Sequence, residues 1–410
     1  MLEPGGLSSI VRAMSIQPPN SLGFSLPPQD TRVVVAMSGG VDSSVTAALL
    51  KSQGYDVVGL TMQLYDHGEA TARSKACCAG QDIYDARRVA DSIGIPHYVV
   101  DYESAFREDV MERFADSYIR GETPVPCVLC NQTVKFRDLF KAAKDLGAKA
   151  LATGHYVRRI EGPDGAEMHR AVDVDRDQSY FLYATTPEQL EFLRFPLGDL
   201  TKSEARDLAK SLNVHVADKP DSQDICFVPD GRYSDVIQKL RPDAAVPGDI
   251  VHVDGRVVGQ HAGVIHYTVG QRRGLGVGGE AEPLYVVAIE PDTAQVVVGP
   301  KSALLSRSFN IRSVNWLGPR SSDLADGMGV RVKLRNTHAP ILATVFWEHG
   351  AGTAKIVLAE PEAAVTPGQA CVLYEGDRVL GGGWIERGVQ SHTVPHNLRS
   401  DRNRQIAQSR

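Results

Sequence analysis

VVVAMSGGVDSSVTAALL, Val33 to Leu50, is the stretch on which the reading of this chain turns. Its β-branched start suits a strand buried on both faces. Ser38-Gly39-Gly40 interrupts the run. Val41, Val45, Ala48 and Leu49 then recur at helical spacing, and Gly54 stops the helix. A strand, a tight turn and a helix start present backbone N–H groups and the positive end of a helix dipole to whatever sits in the turn.

Three readings compete for that turn. Glycines let the backbone approach an anion closely, and Ser38, Ser43 and Ser44 add hydroxyl donors, which suits a nucleotide phosphate. The loop lacks the Gly-Lys-Ser/Thr of a Walker A motif and the Gly-x-Gly-x-x-Gly of a dinucleotide fingerprint. Ala36-x-Ser38-x-Gly40 also approximates the nucleophile elbow of a serine hydrolase, but that reading leaves Asp42 and the two serines after it unexplained. A plain Gly-Gly connection is the third.

Outward from the loop, strands and helices alternate from Thr31. DVVGLTMQLY reads as a strand, QDIYDARRVADSIGI as a helix, PHYVVDY as a strand, and SAFREDVMERFADSYIRG as a helix ended by Gly121. VKFRDLFKAAKDLG is another helix, and AKALATGHY a strand with a functional-looking end. Repeated βα units imply a parallel sheet covered by helices. Beyond residue 230 the period changes to short β runs with many glycines, then to alternating short strands from FNIRSVNWLG to GGGWIERG. That pattern predicts a small antiparallel barrel or sandwich.

The 410 residues are 42% hydrophobic and 23% charged, an ordinary globular balance. No window approaches the ~18–20 apolar residues of a membrane span. The first thirty residues are rich in Pro, Gly and Ser with Arg12 as their basic residue before the last position, Asp30; they read as a disordered extension, neither a secretory signal nor a transit peptide. The tail from 393 to 410 reads the same way. The net charge of −6 excludes a bulk polyanion binder but not a basic patch for nucleic acid.

Six cysteines, Cys77, Cys78, Cys127, Cys130, Cys226 and Cys371, argue for a reducing, cytoplasmic setting in which thiols serve chemistry or metal. Cys130 is placed just before a helix expected to begin near Thr133 or Val134, where the dipole would favour a thiolate. Cys226 lies between an acidic loop and an apolar run. Beside an activated carbonyl, two such cysteines would suit sulfur transfer, one carrying a persulfide and the other attacking or resolving it. Cys77-Cys78 reads as a pair of ordinary loop thiols and Cys371 as core.

SGGVDSS after a β-branched strand resembles the pyrophosphatase loop, Ser-Gly-Gly-x-Asp-Ser, of the ATP-dependent adenylating enzymes. AMSGGVDSSV, LCNQTVKF, ATGHY, RDQSYFLY, DSQDICFV, YTVGQRRGLGVGG and VTPGQACVLY further resemble, in order, the motifs of the tRNA-specific 2-thiouridylases, from about residue 31 to 390. The resemblance implies an α/β fold: a parallel-sheet adenylating domain over 31–230, a small central domain over 231–300 and a C-terminal antiparallel β-barrel over 301–392. It implies ATP with Mg²⁺, Asp42 acting through the metal or through loop geometry, a tRNA anticodon loop as substrate, a persulfide or sulfur-carrier protein as donor, and no membrane.

Carried over by position, Cys130 is the nucleophile and Cys226 the persulfide carrier. Ala36, Met37, Ser38, Gly39, Gly40, Val41, Asp42 and Ser43 line the phosphates, while Met62 and Gly154 contact the nucleotide. His155, Arg176, Asp177, Gln178 and Gln369 meet tRNA. One departure matters: the family usually reads Asn-Pro-Asp-x-x-Cys before the nucleophile, whereas this chain reads Val125-Pro126-Cys127-Val128-Leu129-Cys130. The family's acid/base role therefore cannot be carried over to this position. Cys127, Cys130 and Cys226 could together hold a [4Fe–4S] iron–sulfur cluster with one open iron, or Cys127 is a bystander or a second resolving thiol. Arg158-Arg159, Arg272-Arg273 and Arg331, Lys333 and Arg335 are candidate contacts to the RNA backbone.

Overall fold

The computed structural model describes residues 19–64, 78–220, 225–228, 232–279, 282–319, 324–347 and 352–388. The first βα unit is β1 (Arg32–Ala36), α1 (Val41–Ser52) and β2 (Asp56–Gln63), followed by α2 (Cys78–Ile93) and β3 (His97–Asp101). Next come α3 (Glu103–Phe106) and α4 (Arg113–Ile119), joined through a π-helical segment, Arg107–Glu112. After Gly121, in the left-handed conformation at φ +71°, α5 (Pro126–Cys130) runs through a second π segment, Asn131–Asp138, into α6 (Leu139–Asp145). β4 (Ala150–Ala152) precedes a hairpin, β5 (Val157–Gly162) and β6 (Gly165–Arg170). The domain closes with α7 (Ser179–Leu182), α8 (Pro187–Phe192), β7 (Leu193–Arg194) and α9 (Lys202–Ser211).

The five strands pair in the order β3-β2-β1-β4-β7, all parallel. Their sequence explains the sandwich. Val33 and Val35 project to one face, into a cluster with Val45 and Ala48 of α1 and Ala86 and Val89 of α2. Val34 projects to the other, against Val128, Phe136 and Leu139. All three valines are fully buried, as a period of two requires of a strand covered on both sides.

Residues 19–30 correct the expected disordered extension. Leu22 belongs to the domain core; its N–H donates to the Tyr55 hydroxyl at 3.1 Å and its carbonyl accepts from Arg194 Nε at 2.8 Å. Asn20 caps this turn through the N–H groups of Leu22 and Phe24, so the polar composition there is turn chemistry. Residues 1–18 and the tail beyond 388 lie outside the described residues.

The central unit holds α10 (Tyr233–Leu240) and a sheet of β8 (Gly248–His252), β9 (Val257–His261), β10 (Tyr285–Glu290) and β11 (Gln295–Gly299), ordered β10-β11-β8-β9. Six antiparallel strands follow: β12 (Leu305–Trp316), β13 (Leu324–Lys333), β14 (Ile341–Trp347), β15 (Thr353–Ala363), β16 (Ala370–Glu375) and β17 (Arg378–Ile385). β12 bonds both β15 and β17, which closes them into a barrel. β16 is buried on both faces: Cys371 and Leu373 face the barrel core, while Ala370, Val372 and Tyr374 face the nucleotide-type domain. Cys371 is thus a core thiol, pushed up by burial.

Candidate active site

In the order 3-2-1-4-7, strand succession reverses beside β1, and the crevice beyond the carboxyl ends of β1 and β4 is where such sheets take ligands. SGGVDSS leaves β1 there and ATGHY leaves β4. Ser43 closes the first loop: its hydroxyl accepts from the Ser38 N–H at 3.1 Å and donates to the Gly40 carbonyl at 3.2 Å. Ser44 bonds the same carbonyl at 2.8 Å. Ser38 keeps an exposed hydroxyl, and its side-chain partner is Ser43 at 3.2 Å rather than a histidine. Among the described residues no histidine is bonded to Ser38, whereas a nucleophile elbow would require one.

Two glycines let the pieces meet. Gly39 adopts φ +73°, and a Cβ on it would lie 2.2 Å from the carbonyl oxygen of Asp82 on α2. Gly154 passes so close to the loop that a Cβ would lie 2.6 Å from the Asp42 carbonyl carbon. Met37 is buried, and its sulfur crosses Gly59 of β2. Met62, at the end of β2, is half-buried between the core under the sheet and the cluster that contains Cys130.

Asp42 is held by residues the sequence did not single out as partners. Lys202 Nζ donates to both of its carboxylate oxygens, at 2.8 and 2.9 Å, and the Tyr156 hydroxyl donates to Oδ1 at 2.9 Å. Lys219 Nζ bonds the Gly39 carbonyl at 3.1 Å and both Asp82 and Asp85 at 2.7 Å. Lys202 had one local signal, the Thr201–Glu204 capping box that sets it at the first position of α9. Nothing local points to its partner 160 residues away.

Cys127, Cys130 and Cys226 come together. The sulfurs of Cys127 and Cys130 act on Cys226, Cys127 acts on Cys130, and the ammonium of Lys135 acts on all three. The helix begins at Pro126, earlier than expected, so Cys127 rather than Cys130 occupies its first turn, and Cys130 is its fifth residue. The expected lowering at Cys130 is corrected: burial pushes its thiol up, only partly offset by Lys135. Burial does the same to Cys127 and drives Cys226 up to about 12, although both retain exposed surface. Lys135 lies five residues after Cys130 inside the π segment, where five residues approximate one turn; LCNQTVKF carries both residues. Cys77 lies outside the described residues, and Cys78 opens α2. Among the described residues no three His, Cys, Asp or Glu side chains are disposed to hold a metal ion.

His155 links the two halves of the site. Its ring meets Phe136, on the cysteine helix, at 6.1 Å, and its Nδ1 shares a 2.9 Å hydrogen bond with the Thr153 hydroxyl. Burial, then Lys135, push it down to about 3, so it is neutral at physiological pH.

Of the expected tRNA residues, Arg176 is exposed and Gln178 half-buried, its Oε1 accepting from the Tyr156 N–H at 2.8 Å. Asp177 is buried. Its carboxylate has no exposed surface and accepts from Arg170 Nε at 3.1 Å and from the Ser179 hydroxyl at 3.0 Å, with Lys333 Nζ 3.8 Å away. Gln369 is half-buried, and its Nε2 donates to the Thr123 carbonyl at 2.8 Å. Among the basic clusters, Arg159 pairs with Glu161 and Glu191, Lys333 is buried by Asp177, and Arg335 holds the Ala363 and Ala364 carbonyls. Arg272 and Arg273 are exposed.

Residues 31–230 match a family model described as the tRNA methyl transferase HUP domain, 234–300 a tRNA methyl transferase PRC-barrel domain, and 306–385 an aminomethyltransferase beta-barrel domain. The "tRNA-specific 2-thiouridylase MnmA" of Rhodospirillum centenum is 64% identical over 379 residues, covering 91% of this chain and 96% of the relative. That of Paracoccus denitrificans is 62% identical over 369 residues, covering 89% and 94%. The chain belongs to the tRNA-specific 2-thiouridylase family. The three family-model segments coincide with the parallel sheet, the central sheet and the closed barrel of this 2-thiouridylase-family chain.

Proposed function

We propose that this chain is a sulfurtransferase that uses ATP to place sulfur on C2 of a tRNA uridine, the wobble base at position 34. The observation that carries the reading is that the end of β4 touches both parts: Gly154 abuts the SGGVDSS loop, and the His155 ring meets Phe136 on the segment that continues from the cysteine helix. The adenylating domain is taken to span 31–230, the central domain 231–300 and the barrel 301–392.

A stacked anticodon base is out of reach, so it is flipped into the crevice. Ser38, the loop N–H groups and the N-terminus of α1 hold the triphosphate. Uracil O2 attacks the α-phosphorus, the bond to pyrophosphate breaks, and C2 becomes electrophilic. The terminal sulfur of a persulfide on Cys226, loaded by a carrier protein, adds to C2, and AMP leaves. Cys130 then attacks the Cys226 sulfur. The S–S bond to the base breaks, 2-thiouridine is released, and a Cys130–Cys226 disulfide forms, which a dithiol reductant of the cytoplasm reopens. The resting thiols are protonated because burial holds them up, and Lys135 is the cation that favours their ionised forms. Neutral His155 orients rather than carries charge.

Magnesium would accompany the triphosphate rather than rest on Asp42, whose carboxylate is already bonded by Lys202 and Tyr156. An iron–sulfur cluster does not fit as well. The three thiols are not disposed as ligands, and no step is assigned to it. Among the described residues no helix is long and apolar enough to cross a membrane.

The test is single-turnover thiolation with ATP and a persulfide donor. Cys130→Ser and Cys226→Ser each lower it by at least about 10²-fold while pyrophosphate release persists, and Cys127→Ser keeps most of it. Loss of activity in Cys127→Ser together with stoichiometric iron in anaerobically prepared protein would reverse the choice between persulfide and cluster.

A further inference from the structure

We propose that Lys202 is a positioning residue of the nucleotide site, neutralising Asp42 so that the SGGVDSS loop can accept a triphosphate; the inference rests on reading that loop as the nucleotide site. A phosphate-binding loop gains nothing from a bare carboxylate beside the anion. Here the carboxylate is half-buried, and its charge is matched by an ammonium bonded to both oxygens at 2.8 and 2.9 Å.

The backbone of Lys202 is set independently of Asp42. Lys202 follows the Thr201 cap, whose hydroxyl accepts from the Glu204 N–H while the Glu204 carboxylate returns to the Thr201 N–H at 2.7 Å. The Lys202 N–H donates to Asp173 Oδ2 at 2.9 Å, and its Nζ lies 5.7 Å from the centre of the Tyr156 ring. The side chain is 11% exposed; its backbone is held by the start of α9 and by Asp173, and its ammonium lies beside Tyr156. The Asp173 carbonyl in turn accepts from the Arg176 N–H at 3.1 Å. Asp42 itself is 32% exposed and sits in the first turn of α1, where the helix dipole tolerates a carboxylate. Removing the lysine therefore leaves a charge the fold can bear but an incoming triphosphate cannot ignore. The effect belongs to nucleotide affinity more than to stability.

The experiment measures binding of α,β-methylene-ATP by full-length wild type, Lys202→Met, Lys202→Arg and the double variant Asp42→Asn/Lys202→Met, with KM for ATP and kcat alongside. Lys202→Met weakens binding about 10- to 100-fold, the scale of an uncompensated like charge, and raises KM alike while kcat moves less. Lys202→Arg restores much of the affinity, and the double variant binds more tightly than Lys202→Met. Wild-type affinity in Lys202→Met, or a double variant no tighter than the single, overturns the role of Lys202. Failure of the wild type to bind the analogue overturns the reading of the loop instead. If Lys202→Met does not fold, Asp42→Asn decides: it binds at least as tightly as wild type, and tenfold weaker binding refutes the proposal.

Discussion

Replacing Gly154 with alanine tests whether the ends of β1 and β4 form one nucleotide site. A Cβ there would lie 2.6 Å from the Asp42 carbonyl carbon, 2.7 Å from the Ser43 nitrogen and 2.9 Å from the Asp42 oxygen. Ordinary contact begins near 3.4 Å, so one backbone must retreat by about 0.8 Å. None of the obstructing atoms belongs to a flexible side chain, and the strain costs roughly 1–3 kcal/mol. Displacement of a reacting group by about 1 Å costs on the order of 10²-fold in rate, so ATP- and tRNA-dependent pyrophosphate release should fall by tens of fold to 10²-fold. Cys127 and Cys130 sit on α5 and Cys226 in a turn of its own, and their alkylation by iodoacetamide should be unchanged. Gly329→Ala is the control, since a Cβ there meets nothing within 4 Å. Pyrophosphate release within threefold of wild type in Gly154→Ala would refute the shared site.

His155 is held at about 3 in the folded chain against an ordinary 6.5. Its stabilising effect is therefore complete above pH 6.5 and is lost as pH falls toward 3. In urea titrations the wild type should lose up to about 1.4 kcal/mol per pH unit across that window relative to His155→Gln, and parallel curves would contradict this. Asp177→Ala leaves Arg170 and Lys333 without their buried carboxylate and should cost about 3–5 kcal/mol in chemical unfolding. Arg176→Ala should leave stability alone and weaken tRNA binding in filter assays. The exposed Arg272→Gln/Arg273→Gln pair should flatten the slope of log affinity for tRNA against log salt by about 1–2; an unchanged slope removes that loop from the interface.

The local signals were strong where chemistry is local. Three valines followed by Ser-Gly-Gly could become only a buried strand and a turn, and the strand-then-helix order forced the parallel sheet. The change of period after residue 230 anticipated the barrel. Reading failed where a residue's role depends on what covers it. RDQSYFLY looked like a ligand-facing string, yet Asp177 is buried among Arg170, Ser179 and Lys333, and Tyr180 donates to the Ala370 carbonyl at 3.1 Å to dock the barrel. Composition made residues 19–30 look unstructured because it cannot see Leu22 entering a core built by later segments.

Sequence by itself determined the fold class, the glycine turn after β1 and the choice of three cysteines as candidates, because hydrophobic period, glycine geometry and residue type act within a few neighbours. Tertiary structure alone decided their electrical state. Burial, a property of the whole packed chain, reversed the expected lowering of Cys130, and a lysine 160 residues away came to bond Asp42.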